Sequence, residues 1–83
     1  MDKYVVISIR PFVLNQKIEI YNNGNVEIKE APLANLGQAI YNVCNTYNIQ
    51  DVHLHGSRFM ANKIESQFSN CKFGKNDIRF YIH

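Results

Sequence analysis

An Asn-Gly pair between two alternating stretches is the feature that most constrains how this chain can fold. Residues 16–21 and 26–29 alternate apolar and polar side chains, the two-residue period typical of strands that bury one side. Asn23 and Gly24 tolerate the positive φ angles that a tight hairpin turn needs. We therefore predict a β-hairpin here. The hairpin residues expected to point into the core are Ile18, Ile20, Val26 and Ile28.

Two other segments complete the first half of the chain. Residues 4–10 also alternate, and Pro11 ends the predicted strand because proline cannot donate to a ladder. After Pro32, apolar residues recur at helical spacing over residues 33–47, which predicts a helix with one apolar side. Gly37 lies within that helix, where we expect it to permit close packing of another helix.

The second half returns to a strand, a helix and a strand. Residues 51–55 alternate again, with two histidines on the outward side. Ser57 is a good N-cap for a helix that follows. Residues 73–77 contain turn formers, and residues 78–83 alternate as a last strand. The apolar stripe of the second helix consists of Met60, Ala61, Ile64 and Phe68.

The element order βββαβαβ predicts one α/β domain over residues 1–83, an α+β two-layer fold with a mixed five-stranded sheet in the order 3-2-1-4-5. Because parallel crossovers are right-handed, both helices are expected on one face of the sheet. The other face is then open, which suits strands with one polar or mixed side. Its expected residues are Tyr4, Val6, Ser8, Arg10, Lys17, Glu19, Tyr21, Glu27, Lys29, His53, His55, Arg79, Tyr81 and His83.

Composition narrows the class of protein. A hydrophobic content of 46% argues against disorder, and a net charge of +2 is too small to imply nucleic-acid or membrane binding by charge alone. Cys44 and Cys71 lack a CxxC spacing, so reduced thiols and a cytoplasmic location are expected. The apolar N-terminal run is too short to span a bilayer. Frequent Asn, Ile, Lys and Tyr, all with A/T-rich codons, point to a low-GC bacterium or its phage.

The order of elements, with a strand that reaches a helix through LHGSRF, resembles the first five strands and two helices of the ribonuclease H-like fold. Nucleases of that fold hold two divalent metals with acidic residues on the first strand, in the first helix and at the end of the fourth strand. Here Ser8 and Arg10 stand on the first strand, and His55 or Gly56 ends the fourth. The resemblance therefore implies the fold without its metal chemistry, and no cofactor or metal is expected.

The polar residues of the predicted sheet and turn could form three kinds of ligand site, and the alternative is an ordinary polar surface. His53, His55 and His83 offer three imidazoles that zinc accepts, although outward alternation alone also produces them. A second candidate is a phosphate or nucleotide site at a helix N-terminus, where backbone N–H groups and an Arg side chain would meet the anion. Its residues are Gly56, Ser57 and Arg58. The third is nucleic acid on the open face, with stacking by Tyr4, Tyr21 and Tyr81 and phosphate contacts by Arg10, Lys17 and Arg79.

Protein binding is the interpretation that we place first. Tyr and Arg are enriched in interface cores, and the uncovered sheet of a small domain invites a second layer. We expect a non-enzymatic binding protein, a phage accessory or counter-defence factor that acts on a host component or self-associates as a homodimer. The alternatives are a nucleic-acid or nucleotide-binding protein and a histidine- or metal-dependent phosphoesterase. The expected partner-binding residues are Tyr4, Arg10, Tyr21, His53, His55, Arg79, Tyr81 and His83.

Overall fold

The computed structural model describes residues 2–70 and 77–83. The strands are β1 (Lys3–Ser8), β2 (Asn15–Asn22), β3 (Asn25–Pro32), β4 (Asp51–His55) and β5 (Arg79–Ile82). A 3-10 turn at Leu33–Asn35 leads into α1 (Leu36–Tyr47), and α2 (Arg58–Ser69) follows β4. The turn predicted at residues 73–77 lies, except for Asp77, outside the described residues, as does Cys71.

The five strands form one mixed sheet in the order β3-β2-β1-β4-β5, which confirms the predicted topology. β2 pairs antiparallel with both β1 and β3, while β4 lies parallel between β1 and β5. The two helices touch each other and share one apolar core with the strands, so both cover the same face. The buried residues of this core include Val5, Ile7, Ile18, Ile20, Leu36, Ile40, Val52, Leu54, Ala61 and Ile64.

The close approach of the two helices depends on Gly37, as predicted. A Cβ atom on Gly37 would lie 2.4 Å from Cβ of Gln67 and 2.6 Å from the backbone nitrogen of Phe68. The Gly37 N–H instead donates to Oε1 of Gln67 at 2.8 Å. No other residue type leaves room for this crossing, because part of what a side chain would meet is backbone that cannot rotate away.

The second helix begins as its sequence indicates. The N–H of Met60 donates to Oγ of Ser57 at 3.1 Å, so Ser57 caps the first turn. Ala61 and Ile64 are buried, and Met60 and Phe68 pack against the core. None of the helices in the described residues is long and apolar enough to cross a membrane.

The predicted orientation of β3 is wrong. Asn22 lies opposite Asn25 across the turn, so Ile18 and Ile20 of β2 lie opposite Lys29 and Glu27. Opposed residues of an antiparallel pair point to the same side. The two charged residues of β3 therefore lie on the helix side. Val26 and Ile28, which are 55% and 59% exposed, belong to the open face.

The segment between β1 and β2 also differs from expectation. β1 ends at Ser8 rather than Arg10, although the N–H of Ile9 still donates to the carbonyl of His55 at 2.8 Å. Gln16, which is fully buried, accepts from the N–H of Arg10 and donates to the carbonyls of Arg10 and Val13. The amide of Gln16 thus satisfies the backbone of a loop that has no ladder partner. Within that loop the side chains of Phe12 and Leu14 are exposed.

Candidate functional site

The side of the sheet that faces away from α1 and α2 carries most of the side chains that could bind a ligand or a partner. The strand register places three rows across it, and neighbouring strands bring residues far apart in sequence into contact. We call this surface the open face, and its residues are Tyr4, Val6, Ser8, Lys17, Glu19, Tyr21, Val26, Ile28, Glu30, Asp51, His53, His55, Arg79, Tyr81 and His83.

A series of aromatic rings runs across the middle of the open face. Tyr4 stacks on Tyr21 with ring centroids 4.7 Å apart and planes 13° from parallel. Tyr4 and His53 meet edge to face with ring centroids 5.8 Å apart, and His53 stacks on Tyr81 with ring centroids 4.8 Å apart. Each of these pairs joins neighbouring strands, which explains why alternation on four separate strands produces one continuous cluster.

Two more imidazoles extend the cluster toward the end of β4. His83 stacks on His53 at 5.2 Å and on His55 at 4.5 Å. Nδ1 of His53 lies 3.0 Å from Nε2 of His83, a hydrogen-bond distance between two ring nitrogens. The three imidazoles thus stack side by side rather than converge on one point. Among residues 2–70 and 77–83, no three histidine, cysteine or carboxylate side chains are grouped as metal ligands.

Asp51 is a buried carboxylate on the open face that sequence reasoning missed. It is only 4% exposed, and its Oδ1 accepts from Nε of Arg79 at 2.8 Å and from the hydroxyl of Tyr81 at 3.2 Å. The hydrogen bond from Arg79 lowers the pKa of Asp51 against the opposing effect of burial. The position had a signal, because Asp51 shares the alternation of His53 and His55 next to an expected Arg79.

Protonation of His53 is disfavoured by its surroundings. Burial and the neighbouring His83 lower the pKa of His53 below its ordinary value, with His55 acting in the same direction. Asp51 opposes this shift through its negative charge. The lowered pKa favours a neutral imidazole at His53, which reduces its like-charge repulsion with His83.

The two ends of the open face differ in character. At the β3 edge, Val26 lies opposite Tyr21 and Ile28 lies opposite Glu19, so two exposed aliphatic side chains lie beside an aromatic and an acidic one. The hydroxyl of Tyr21 donates to Oε1 of Glu19 at 2.9 Å, and this hydrogen bond raises the pKa of Tyr21. At the β5 edge the surface consists of Arg79, Tyr81 and the imidazoles. The exposed aliphatic side chains of the face thus lie at its β3 end, and the imidazoles lie toward its β5 end.

Most of the predicted site residues come together on this face. Seven of the eight expected partner-binding residues belong to it, while Arg10 lies past the end of β1 in the loop clamped by Gln16. The alternation identified the seven, and it missed Val26 and Ile28 because it does not state which side of a strand is covered.

The residues predicted to bind phosphate have structural roles of their own. Oγ of Ser57 accepts the capping hydrogen bond of α2. Gly56 adopts a φ of +153°, and a Cβ atom there would lie 3.0 Å from Cβ of Ile9. Glycine is thus required for backbone reasons at this turn. Phosphate binding by Gly56, Ser57 and Arg58 stays a prediction.

A scan against protein-family models and searches of curated proteins and of solved structures found no match. The resemblance to the ribonuclease H-like fold therefore stays a prediction that rests on element order. Function has to be argued from the geometry of the open face itself.

Proposed function

We propose that this chain is a non-enzymatic binding protein that presents its open face to a protein partner. The observation that carries the proposal is the continuous cluster from Tyr21 through Tyr4 and His53 to Tyr81, next to the exposed Val26 and Ile28. Aromatic and aliphatic side chains held rigid by their neighbours lose little entropy when a partner covers them. Such a surface suits protein recognition.

The size of the face fits the same role. Five strands spaced about 4.8 Å apart, with about six residues each, give a surface of roughly 24 by 20 Å. The flat area of about 480 Å² is smaller than the roughly 800 Å² of accessible surface that each partner buries in a standard interface, so the face would supply the larger part of one side of such an interface. The aromatic cluster would occupy the middle of the interface and Val26 and Ile28 one end of it, with Lys17, Glu19 and Arg79 among the polar residues beside them.

Two observations favour a protein over a single-stranded nucleic acid. A base-stacking platform has to present the flat side of a ring, whereas Tyr4 and Tyr21 stack on each other and His53 stacks on Tyr81 and His83. In addition, Arg79 already pairs with the buried Asp51, which offsets its charge toward a phosphate. The amino-acid usage adds the narrower proposal that the chain is a phage accessory factor and the partner a host protein.

Affinity capture with matched variants tests the proposal. The bait is compared with Tyr81→Ala and His55→Ala on the open face and with Asn62→Ala, an exposed position on α2. A low-GC bacterial lysate is used with and without nuclease treatment. The account predicts a protein that is captured by the parent chain and by Asn62→Ala, is lost with both face variants, and resists nuclease.

Two results would count against this function. Capture of the same protein by both face variants would place its binding site elsewhere on the molecule. Capture that nuclease abolishes would instead favour the nucleic-acid alternative, and salt-dependent binding of a single-stranded oligonucleotide, weakened by Tyr81→Ala, would establish it.

A further inference from the structure

β3 is a long edge strand that has no neighbouring strand on its outer side among residues 2–70 and 77–83. The strand has eight residues, lies at one end of the strand order and is exposed along nearly its whole length. The opposite edge, β5, has four residues. An edge strand offers unpaired backbone N–H and C=O groups that another strand can pair with. The free backbone groups and the charges of β3 determine which strand can pair with it.

The hairpin register fixes which backbone groups of β3 are free. A two-residue loop closes on a hydrogen-bonded pair, here Asn22 and Asn25, and hydrogen-bonded pairs then alternate along the ladder. The N–H of Leu33 donates to the carbonyl of Leu14 at 3.0 Å, which belongs to the same series. The residues whose N–H and C=O groups point to the free edge are therefore Val26, Ile28 and Glu30.

We propose that two copies of this chain dimerise by antiparallel pairing of their β3 strands about a two-fold axis at Ile28. In this arrangement Ile28 meets Ile28 of the second copy, and Val26 meets the second copy's Glu30. Each of the three residues whose N–H and C=O groups point to the edge then pairs with another such residue of the second copy, which gives about six hydrogen bonds between the strands. The interface is isologous and closes both β3 edges at once.

The charges of β3 select this register among those that the backbone allows. With the axis at Ile28, Glu27 of each copy lies directly opposite Lys29 of the other, which forms two opposite-charge pairs. Sliding one strand by two residues in one direction sets Glu27 against Glu27. Sliding it in the other direction sets Lys29 against Lys29, and longer slides bring in Pro32, which has no N–H to donate. Like charges directly opposite each other are destabilising.

The side chains on the open face support the same pairing. Val26 and Ile28 are more than half exposed in the monomer, and a second β3 strand would cover part of both. Charges on an edge strand usually discourage pairing with any other strand. On β3 they discourage the shifted registers and favour one, so the protection against random association and the specificity for a second copy come from the same residues.

Charge reversal tests the register directly. Sedimentation equilibrium over a wide range of concentrations should give a dimer with twice the monomer mass of 9.7 kDa. Lys29→Glu places Glu against Glu twice and should raise the dimer dissociation constant about tenfold or more. The double variant Glu27→Lys with Lys29→Glu should restore dimerisation. Lys63→Glu, an exposed charge reversal on α2, is the matched control and should leave the dissociation constant unchanged.

A backbone variant keeps the test independent of charge. The N–H of Ile28 points away from β2, so Ile28→Pro removes a donor at the centre of the interface without removing one from the β2–β3 ladder. It should abolish the dimer, whereas Ile28→Ala keeps the donor and should weaken it less. Hydrogen exchange should show the amides of Val26, Ile28 and Glu30 gaining protection as concentration rises.

Several outcomes would overturn the proposal. These are a chain that keeps the monomer mass at about millimolar concentration, a dimer that Lys29→Glu or Ile28→Pro leaves intact, and a double reversal that does not restore pairing. Protection that appears at residues 79–82 instead would place the contact at the β5 edge. The two proposals share Val26 and Ile28, but Glu27 and Lys29 lie on the helix side, so the β3 charge variants leave the open face unchanged for the capture experiment and the two proposals can fail separately.

Discussion

The two strands of the β2–β3 hairpin have the same alternating pattern, yet they point their apolar residues in opposite directions. Ile18 and Ile20 of β2 are buried beneath the helices, while Val26 and Ile28 of β3 are exposed on the open face. The charged residues are exchanged in the same way, since Glu27 of β3 reaches the hydroxyl of Tyr47 on α1. The hairpin thus places apolar residues on both faces of the sheet.

The reason lies in the turn rather than in either strand. Alternation shows which residues of one strand share a side, but the number of loop residues determines how one strand's sides match those of the next. With Asn23 and Gly24 as the only loop residues, Asn22 faces Asn25, and even-numbered residues of β2 face odd-numbered residues of β3. The edge strand has no need to bury its apolar residues in the core, so the turn decides.

The largest expected effect comes from comparing one isoleucine on each strand. Ile20→Ala removes a fully buried side chain and should lower the free energy of unfolding by about 2–4 kcal/mol. Ile28→Ala removes a side chain that is mostly exposed and should change it by about 0.5 kcal/mol or less. Urea unfolding of the two variants at low protein concentration measures both. Equal losses of unfolding free energy in the two variants would mean that Ile28 is buried in the core.

The turn itself should be the next most sensitive point. Gly24 has a φ of +89°, a conformation that costs other residues energy, and a Cβ atom there would meet nothing within 4 Å. Gly24→Ala should therefore destabilise the protein by about 1–2 kcal/mol through backbone strain alone. Gly24→Asn should recover part of the loss, because Asn tolerates positive φ better. A neutral Gly24→Ala variant, measured by urea unfolding, would mean that the hairpin closes through a different turn.

A smaller effect should appear in the pH dependence of stability, to which the open face contributes because all three histidines belong to it. The pKa of His53 is lowered in the folded state, mainly by burial, so the unfolded chain takes up a proton more readily. The contribution of His53 to the free energy of unfolding is therefore complete above its ordinary pKa of about 6.5, and it declines as the pH falls below that value. The difference between the urea unfolding midpoints at about pH 7.5 and about pH 5.5 should be smaller for His53→Gln than for the parent chain. An unchanged pH dependence would contradict this assignment.

Much of the architecture followed from residues close together in the sequence. The N-cap and the apolar stripe of α2, the role of Gly37 and the strand order came from local patterns combined with the handedness of crossovers. The features that were missed depend on distant partners. Gln16 needs the returning loop to explain its burial, and Asp51 needs Arg79 and Tyr81 from another strand. The outward turn of Val26 and Ile28 is an intermediate case, since counting residues across the turn predicts it.

The central claim is that Ile28 belongs to the open face, and thiol labelling tests it most directly. Ile28→Cys and Ile20→Cys are each made in a Cys71→Ser background, where the remaining Cys44 is silent because burial raises its pKa to about 12. At low protein concentration, the account predicts that Ile28→Cys reacts in the native protein nearly as fast as an unstructured thiol, while Ile20→Cys reacts only after unfolding. Protection of Ile28→Cys to the same degree as Ile20→Cys would contradict the account.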